Sequence, residues 1–402
     1  MLASIVPAAV LGLLAASTFP RQAIAQETVP DLGEVLQSNK NLSTYYNLMK
    51  KYPEVLFKLP NYDGVTIIAP SNSAFENIPG TQLYAIWNES DPSIAIPLLE
   101  YHILQGTWIT GAISSGPSHL LPSLLQDPDW TNVTRGQNVL VNKQPGDVIV
   151  FTSGEGIRTT QVTGDIRFAG GYVQVVDNLM VPPSRLENTT DAFKLSAFLG
   201  ALYASDLLES LSSKQNVTIF APRNEAFQRV AGSLDKLDTD AVKKFLDYHV
   251  VPGRILLSSD LSGQNLTTQG SHNLRVIRSG NNLFLNSAQV VQPDILIANG
   301  IMHIIDDVLN PDVPSATPNP EAATQAPAFP ESTASGLPFT NAIPCTVSCP
   351  ATTVSSGTLT ATTRSPTAPV STTTSTDAAA PRRTGHKAGI AIGLVASLAA
   401  LA

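Results

Sequence analysis

Six histidines in a chain of 402 residues are the first place to look for acid/base or metal chemistry. Two of them share a setting, Tyr101-His102-Ile103 and Tyr248-His249-Val250. An imidazole paired with a carboxylate such as Asp247 could act as a general base or join a metal site. The same imidazole, buried and hydrogen-bonded to backbone, would instead pin the end of a helix against a sheet, and this is the favoured reading. The chain has no G-x-S-x-G elbow, H-E-x-x-H pair, Walker loop, EF-hand loop or strand-end G-x-G-x-x-G. No catalytic residue, metal site or cofactor is therefore expected, and a hydrolase with an unfamiliar site on His102 or His249 stands only as a third hypothesis. The two cysteines, Cys345 and Cys349, form a C-x-x-x-C pair that is expected to close a local disulfide, since no further metal ligands stand nearby.

The tyrosine-histidine pairs belong to a longer repeat. VTIIAPSNSAF at Val65–Phe75 returns as VTIFAPRNEAF at Val217–Phe227. An apolar run ending at Ala-Pro predicts a buried strand stopped by proline, and the residues after it predict a short helix that Ser71 or Asn72, and Asn224, can cap. Downstream, GDIRFAGGYVQVVDNLMVPP from Gly164 matches PDILIANGIMHIIDDVLNPD from Pro293, aligning Asp165-Ile166 with Asp294-Ile295 and Asp177 with Asp306. Three blocks in one order mean two copies of one domain.

Together these blocks resemble the fasciclin family, or FAS1 domains, over roughly residues 28–311. The first copy departs from the second: Gln105-Gly106 stands in place of Pro252-Gly253, and Tyr101 to Gly171 spans 70 residues against 52 from Tyr248 to Gly300. The resemblance implies adhesion. It maps the family's tyrosine-histidine box to Tyr101, His102, Tyr248 and His249. It also maps an Asp-Ile motif, in which an exposed aspartate meets a receptor's metal, to Asp294-Ile295 and, in reduced form, to Asp165-Ile166. The alternative for that motif is that Ile166 and Ile295 are core and the aspartates serve a turn.

An α+β fold is expected, two tandem domains each with a β-sheet core and packed helices. Helical spacing runs from Leu42 to Leu56, from Leu195 to Leu211, and from about Thr239 to Asp247 behind a cap at Asp238 or Thr239. NVLVNKQPGDVIVF and NLRVIRSGNNLFLNSAQVV read as strands, with a hairpin turn at Ser279–Asn282. The domains are placed at 26–183 and 184–311, flanked by a signal peptide (1–25) ending Ala23-Ile24-Ala25, a disordered Ser/Thr/Pro-rich stalk (312–377) and a GPI-anchor propeptide (378–402) attached near Asp377 or Ala378. Loss of Arg21, Arg382, Arg383 and Lys387 in processing would move the formal charge from −8 to −12. An acidic ectodomain argues against nucleic acid as a partner.

Six N-x-Ser/Thr sequons, at Asn41, Asn88, Asn132, Asn188, Asn216 and Asn265, fit a secreted surface glycoprotein. Asn216, directly before the Val217 strand, is the one where crowding could block a glycan. All three tryptophans, Trp87, Trp108 and Trp130, fall in the first domain. Exposed, an indole can stack on a sugar ring; half-buried, it anchors a long loop. The expected function is adhesion to cells, or to wall or matrix components, either glycan or homotypic, with the membrane engaged through the anchor. The alternative is a module that binds a polysaccharide or small ligand.

Overall fold

A computed structural model describes residues 29–59, 64–322, 324–332 and 334–344. The expected signal peptide, the expected Cys345–Cys349 disulfide, the rest of the Ser/Thr/Pro-rich stretch, and the expected attachment residues Asp377 and Ala378 lie outside the described residues. Among the described residues no helix is long and apolar enough to cross a membrane.

The first domain contributes β1 (Val65–Pro70), β2 (Ile103–Gln105), β3 (His119–Pro122), β4 (Asn138–Gln144), β5 (Val148–Thr152), β6 (Arg158–Phe168) and β7 (Gly171–Val176). The second contributes β8 (Val217–Pro222), β9 (Val250–Val251), β10 (Asn265–Thr267), β11 (Asn273–Ser279), β12 (Asn282–Leu285), β13 (Ala288–Ile297) and β14 (Gly300–Ile305). The sheet orders, β2-β1-β7-β6-β5-β4-β3 and β9-β8-β14-β13-β12-β11-β10, are the same path taken twice.

The repeated apolar run is the centre of each sheet. β1 pairs parallel with β7 from Val65↔Gly171 to Pro70↔Val176, and β8 with β14 from Val217↔Gly300 to Pro222↔Ile305. All six residues of β1 and of β8 are buried, as expected for strands covered on both faces. Their side chains alternate between two cores: Val65, Ile67 and Ala69 face the helices while Ile68 faces the other side, and Val217, Ile219 and Ala221 are likewise opposed to Phe220. Pro70 and Pro222 fall on the last strand position, where a missing N–H breaks no ladder. The turn Ser279–Asn282 is the expected hairpin, with Gly280 at φ +56.

The capping expectation needs correction. Ser71 does cap the helix Asn72–Glu76, its Oγ accepting from Ala74 N. Asn72 and Asn224 cap a different helix. Asn224 Oδ1 accepts from Ala197 N (3.0 Å) and its Nδ2 donates to Lys194 O and Ser196 Oγ, so it closes the start of the helix Ser196–Ala204; Asn72 does the same for the helix Ser43–Lys51 through Thr44 N, Lys40 O and Ser43 Oγ. A side chain with both donor and acceptor can thus tie the second α-helix of each domain to the end of its central strand. The helix Thr239–Tyr248 is capped by Asp238 and buries Val242, Phe245 and Leu246, as its sequence predicts.

The stalk does not begin at residue 312. Phe329, Leu337 and Phe339 pack on the helical core of the second domain, with Phe339 edge-on to Phe227 (6.2 Å between centroids) and Phe329 edge-on to Phe245 (6.1 Å). Polar contacts hold this strap along its length: Lys244 with Asp312 (2.6 Å), Arg229 to Gln325 O (2.8 Å), Ala328 N to Asp307 Oδ2 (3.0 Å), and Gly232 N to Ser332 O (2.7 Å). Composition hid the strap, because three large apolar residues among many Pro, Ala and Ser are enough to dock a segment that cannot fold alone. In the first domain Trp87 lies over Phe75, the counterpart of Phe227 (6.1 Å). A Cβ on Gly200 would collide with the carbonyl of Phe339. Phe339→Ala is expected to destabilise the second domain by roughly 2 kcal/mol, below the range for a fully buried phenylalanine. Gly200→Ala, despite better helix propensity, is expected to lift the strap, read as faster amide exchange at Gly232.

Candidate functional site

The tyrosine-histidine box lies in the core. Tyr101, Tyr248 and His249 are 0% exposed and His102 is 1%. Each tyrosine ends a helix and reaches across to a strand, Tyr101 donating to Asn138 O (3.0 Å) and Tyr248 to Asn273 O (2.9 Å). Burial raises both phenols. Each histidine is held at both ring nitrogens. His102 Nδ1–H donates to Leu98 O (2.8 Å) while Nε2 accepts from Met180 N (2.9 Å); His249 Nδ1–H donates to Phe245 O (2.8 Å) while Nε2 accepts from Leu309 N (3.0 Å). The carbonyl and the amide together fix the neutral tautomer, and burial pushes both imidazoles down to about 4. Asp247 does not pair with His249; it accepts from Gln269 Nε2. As contact residues for a partner, or as a base open to a substrate, these four are misplaced: the histidines lock the last turn of a helix to the segment leaving the last strand, and the tyrosines lock it to β4 or β11.

The Asp-Ile positions sit on matching β-bulges. β6 slips register against β7 between Thr163 and Ile166, and β13 against β14 between Gln292 and Ile295. Asp165 (φ +59) and Asp294 (φ +63) take up the left-handed backbone that such a bulge needs and that Asp tolerates. Asp294 is largely covered, its carboxylate accepting from Ser258 N (2.8 Å) and Ser258 Oγ (2.6 Å). Asp165 accepts from Thr110 N (3.0 Å) and Gln174 Nε2 (2.9 Å) and stays exposed at the edge. Both aspartates therefore tether the loop that follows the tyrosine-histidine box. Ile295 is buried and Ile166 half-buried, both against the helical core.

Sequence reasoning missed the groups beneath these bulges. Gln174 and His303 occupy equivalent positions on β7 and β14, and each accepts from the bulge amide: Asp165 N to Gln174 Oε1 (2.8 Å), Asp294 N to His303 Nδ1 (3.2 Å). His303 Nε2–H donates to Leu256 O (2.9 Å) and its ring stacks on Phe220. The signal available was the alignment of the closing blocks, which sets a histidine opposite a glutamine inside an apolar run.

The two domains meet at a continuous joint. Leu120 and Leu140 pack with Ile255, Leu257, Leu296 and Ile301 of the second domain. Thr131 Oγ1, Asn132 N and Gln137 Nε2 of the first domain all donate to Ala298 O of the second. Much of this contact comes from residues 124–137, within the stretch that makes the first domain longer. Beside it opens a cleft of 580 Å³ lined by Ile86, Trp130, Glu155, Arg185 and Asn188 among others. Trp130 is half-exposed there. Trp87 and Trp108 are also half-buried, Trp108 donating from Nε1 to Gln105 O, so both anchor loops.

The fasciclin domain profile matches residues 40–182 and again 193–311, which is more than half of the chain. The chain belongs to the fasciclin domain family. It is 29% identical over 314 residues to a fasciclin-like arabinogalactan protein of Arthroderma benhamiae, covering 77% of this chain and 74% of that one. It is also 29% identical over 306 residues to fasciclin-like arabinogalactan protein CTB11 of Cercospora beticola, covering 73% and 81%. Among solved structures, a FAS1 domain pair from the insect cell adhesion molecule Fasciclin I matches at 21% identity and a TM-score of 0.33, over 68% of this chain and 98% of that one.

The buried histidines of these fasciclin domains give a signed pH dependence. Their native pKa lies below the unfolded value, so between about 6.5 and 4 the unfolded chain binds more protons. The stability they contribute is complete above that window and is lost as pH falls through it. Asp307 works in the opposite sense, because burial pushes it up to about 7 against the pull of Arg229. Comparing the protein with His249→Gln cancels that opposing contribution. The stability gap between them is expected to narrow by roughly 3 kcal/mol from pH 7 to pH 4, measured by urea unfolding at each pH. An exposed histidine at this position would leave the gap constant.

Proposed function

We propose that this fasciclin protein is a cell-surface glycoprotein, routed through the secretory pathway and held on the outer face of the plasma membrane by a GPI anchor, whose domain pair mediates adhesion to cells or to wall or matrix material. The observation that carries the reading is the joint. Two copies of one domain are fastened into a single body, so equivalent surfaces are presented at a fixed spacing, and weak contacts made by each add as avidity. Family membership and the names of the fungal relatives support it, and the stretch beyond the strap supplies the spacer such a head would need. The adhesive contacts belong to surface residues rather than to the tyrosine-histidine box, which acts through the fold.

Beads coated with residues 29–344 are expected to clump or to capture cells, with residues 29–183 or 184–344 alone doing so more weakly. Asp294→Asn keeps the left-handed backbone and can still accept from Ser258, so it removes the charge and spares the bulge. Adhesion that survives this change is expected. Its abolition would restore a metal-linked receptor contact at Asp294, and no clumping or capture by the intact pair would remove adhesion as the function.

A second reading is favoured by one observation, the half-exposed Trp130 at the cleft with Arg185, Asp129 and Glu155. An indole face beside planar polar groups suits a sugar ring. Trp130→Ala is expected to abolish signal on a glycan array if this cleft is a saccharide site, and to leave bead clumping unchanged.

A further inference from the structure

The six sequons divide cleanly by position. Asn41, Asn88, Asn188 and Asn265 are exposed, whereas Asn132 and Asn216 are partly buried at the domain joint. Asn132 Nδ2, the atom that would carry a sugar, donates across the joint to Ser213 O (2.6 Å). Asn216 is clamped at both ends of its amide: Nδ2 donates to Thr134 Oγ1 (2.8 Å) and Oδ1 accepts from Thr134 N (3.0 Å). Thr134 is itself the third residue of the Asn132 sequon, so one clasp consumes an attachment nitrogen of each domain and the hydroxyl that makes one of them a sequon. Asn216 holds the left-handed conformation (φ +54) that aims its amide over the joint, a backbone state asparagine tolerates.

An N-linked sugar placed on either nitrogen would put a pyranose ring where the opposite domain's chain now stands at hydrogen-bond distance. Glycans are added to extended chain before the domains can meet, so the sequons alone would mark both sites for modification. We propose that Asn132 and Asn216 form a glycan-gated clasp: a sugar at either residue and a closed joint exclude each other. The chain folded as described here then carries N-glycans only on Asn41, Asn88, Asn188 and Asn265. A chain modified at the clasp has two domains joined by the Pro182–Asp191 link but not docked, which alters the spacing on which avidity depends.

This inference rests on the secretory routing proposed above, and its test separates the two. The full chain, purified from a eukaryotic host that N-glycosylates, is deglycosylated enzymatically in ¹⁸O water and mapped by mass spectrometry, and amide exchange is followed at Asn132 and Thr134, whose N–H groups cross the joint. Label at the exposed sequons, none at Asn132 or Asn216, and slow exchange at the joint is the expected result. If a fraction carries sugar at Asn132 or Asn216, that fraction, isolated on a lectin column, is expected to exchange at least about tenfold faster at both amides. Equal protection in the modified fraction overturns the gate, and fast exchange in chains bare at both residues overturns the clasp. Asn216→Ala tests the clasp without any glycan: at least about tenfold faster exchange at Asn132 is expected, and unchanged exchange overturns it. A chain with no N-glycan at all would sink the secretory routing, leaving the clasp to be decided by that variant.

Discussion

Each domain depends on a parallel pairing between the first long strand of its fold and the last. β1 meets β7 and β8 meets β14 with Gly171 and Gly300 opposite Val65 and Val217, and a Cβ on either glycine would strike the facing valine's carbonyl. Parallel strands cannot be joined by a tight turn, so everything between the repeated blocks is the crossover that this pairing demands. The helix ending at the tyrosine-histidine box, the antiparallel strands and the bulge are all strung between two strands that must lie side by side. The histidine then closes the circuit. Its imidazole takes a carbonyl from its own helix and an amide from the segment just beyond the last strand, so the crossover and the chain's exit are fixed by one neutral ring.

That circuit explains why the residues most open to a chemical reading in the sequence are the least open to a partner. Tyrosine and histidine side by side suggest reactivity because both titrate and both bond. In the fold those same capacities are spent on backbone groups that would otherwise be buried unpaired. The aspartate of the Asp-Ile motif is similar in kind: its left-handed backbone places an extra residue in the strand, and its carboxylate satisfies the loop amide at Thr110 or Ser258. Any contact with a partner then has to be made by side chains other than these.

What could be read from the sequence was whatever repeats or alternates. β1 and β8, the hairpin at Ser279–Asn282, and the helix behind Asp238 follow from period and turn chemistry, and the buried histidines follow from their place in a repeated block. Three features were hidden for a common reason. Asn72 and Asn224 cap helices by accepting from Thr44 N and Ala197 N, 28 and 27 residues earlier in the chain. Phe339 packs on Phe227, 112 residues before it, and on Phe245, 94 residues before it. Asn216 meets Thr134 across 82 residues. Local pattern shows that a side chain can bond or pack. It does not show which distant surface will be waiting, and an Asn-x-Thr that reads as a sugar acceptor reads equally well as one half of a clasp.

The two domains differ where they have been added to, and these additions do the assembling. The long segment of the first domain carries Trp130, Thr131 and Asn132 to the second domain and makes the joint. Past its last strand, the second domain keeps hold of the chain through Phe329 and Phe339, covering with a strap what Trp87 covers in the first. A pull applied to the chain at residue 344 would therefore arrive first at the Phe339 end of the strap, not at the central strands. Peeling a segment whose one regular element among the described residues is the single turn Thr340–Ala342 breaks side-chain contacts a few at a time, whereas separating β8 from β14 would break a whole ladder at once. The strap is the yielding element and the parallel pair the resisting one, so a pull on the chain end at residue 344 is taken up by the strap while each sheet stays intact.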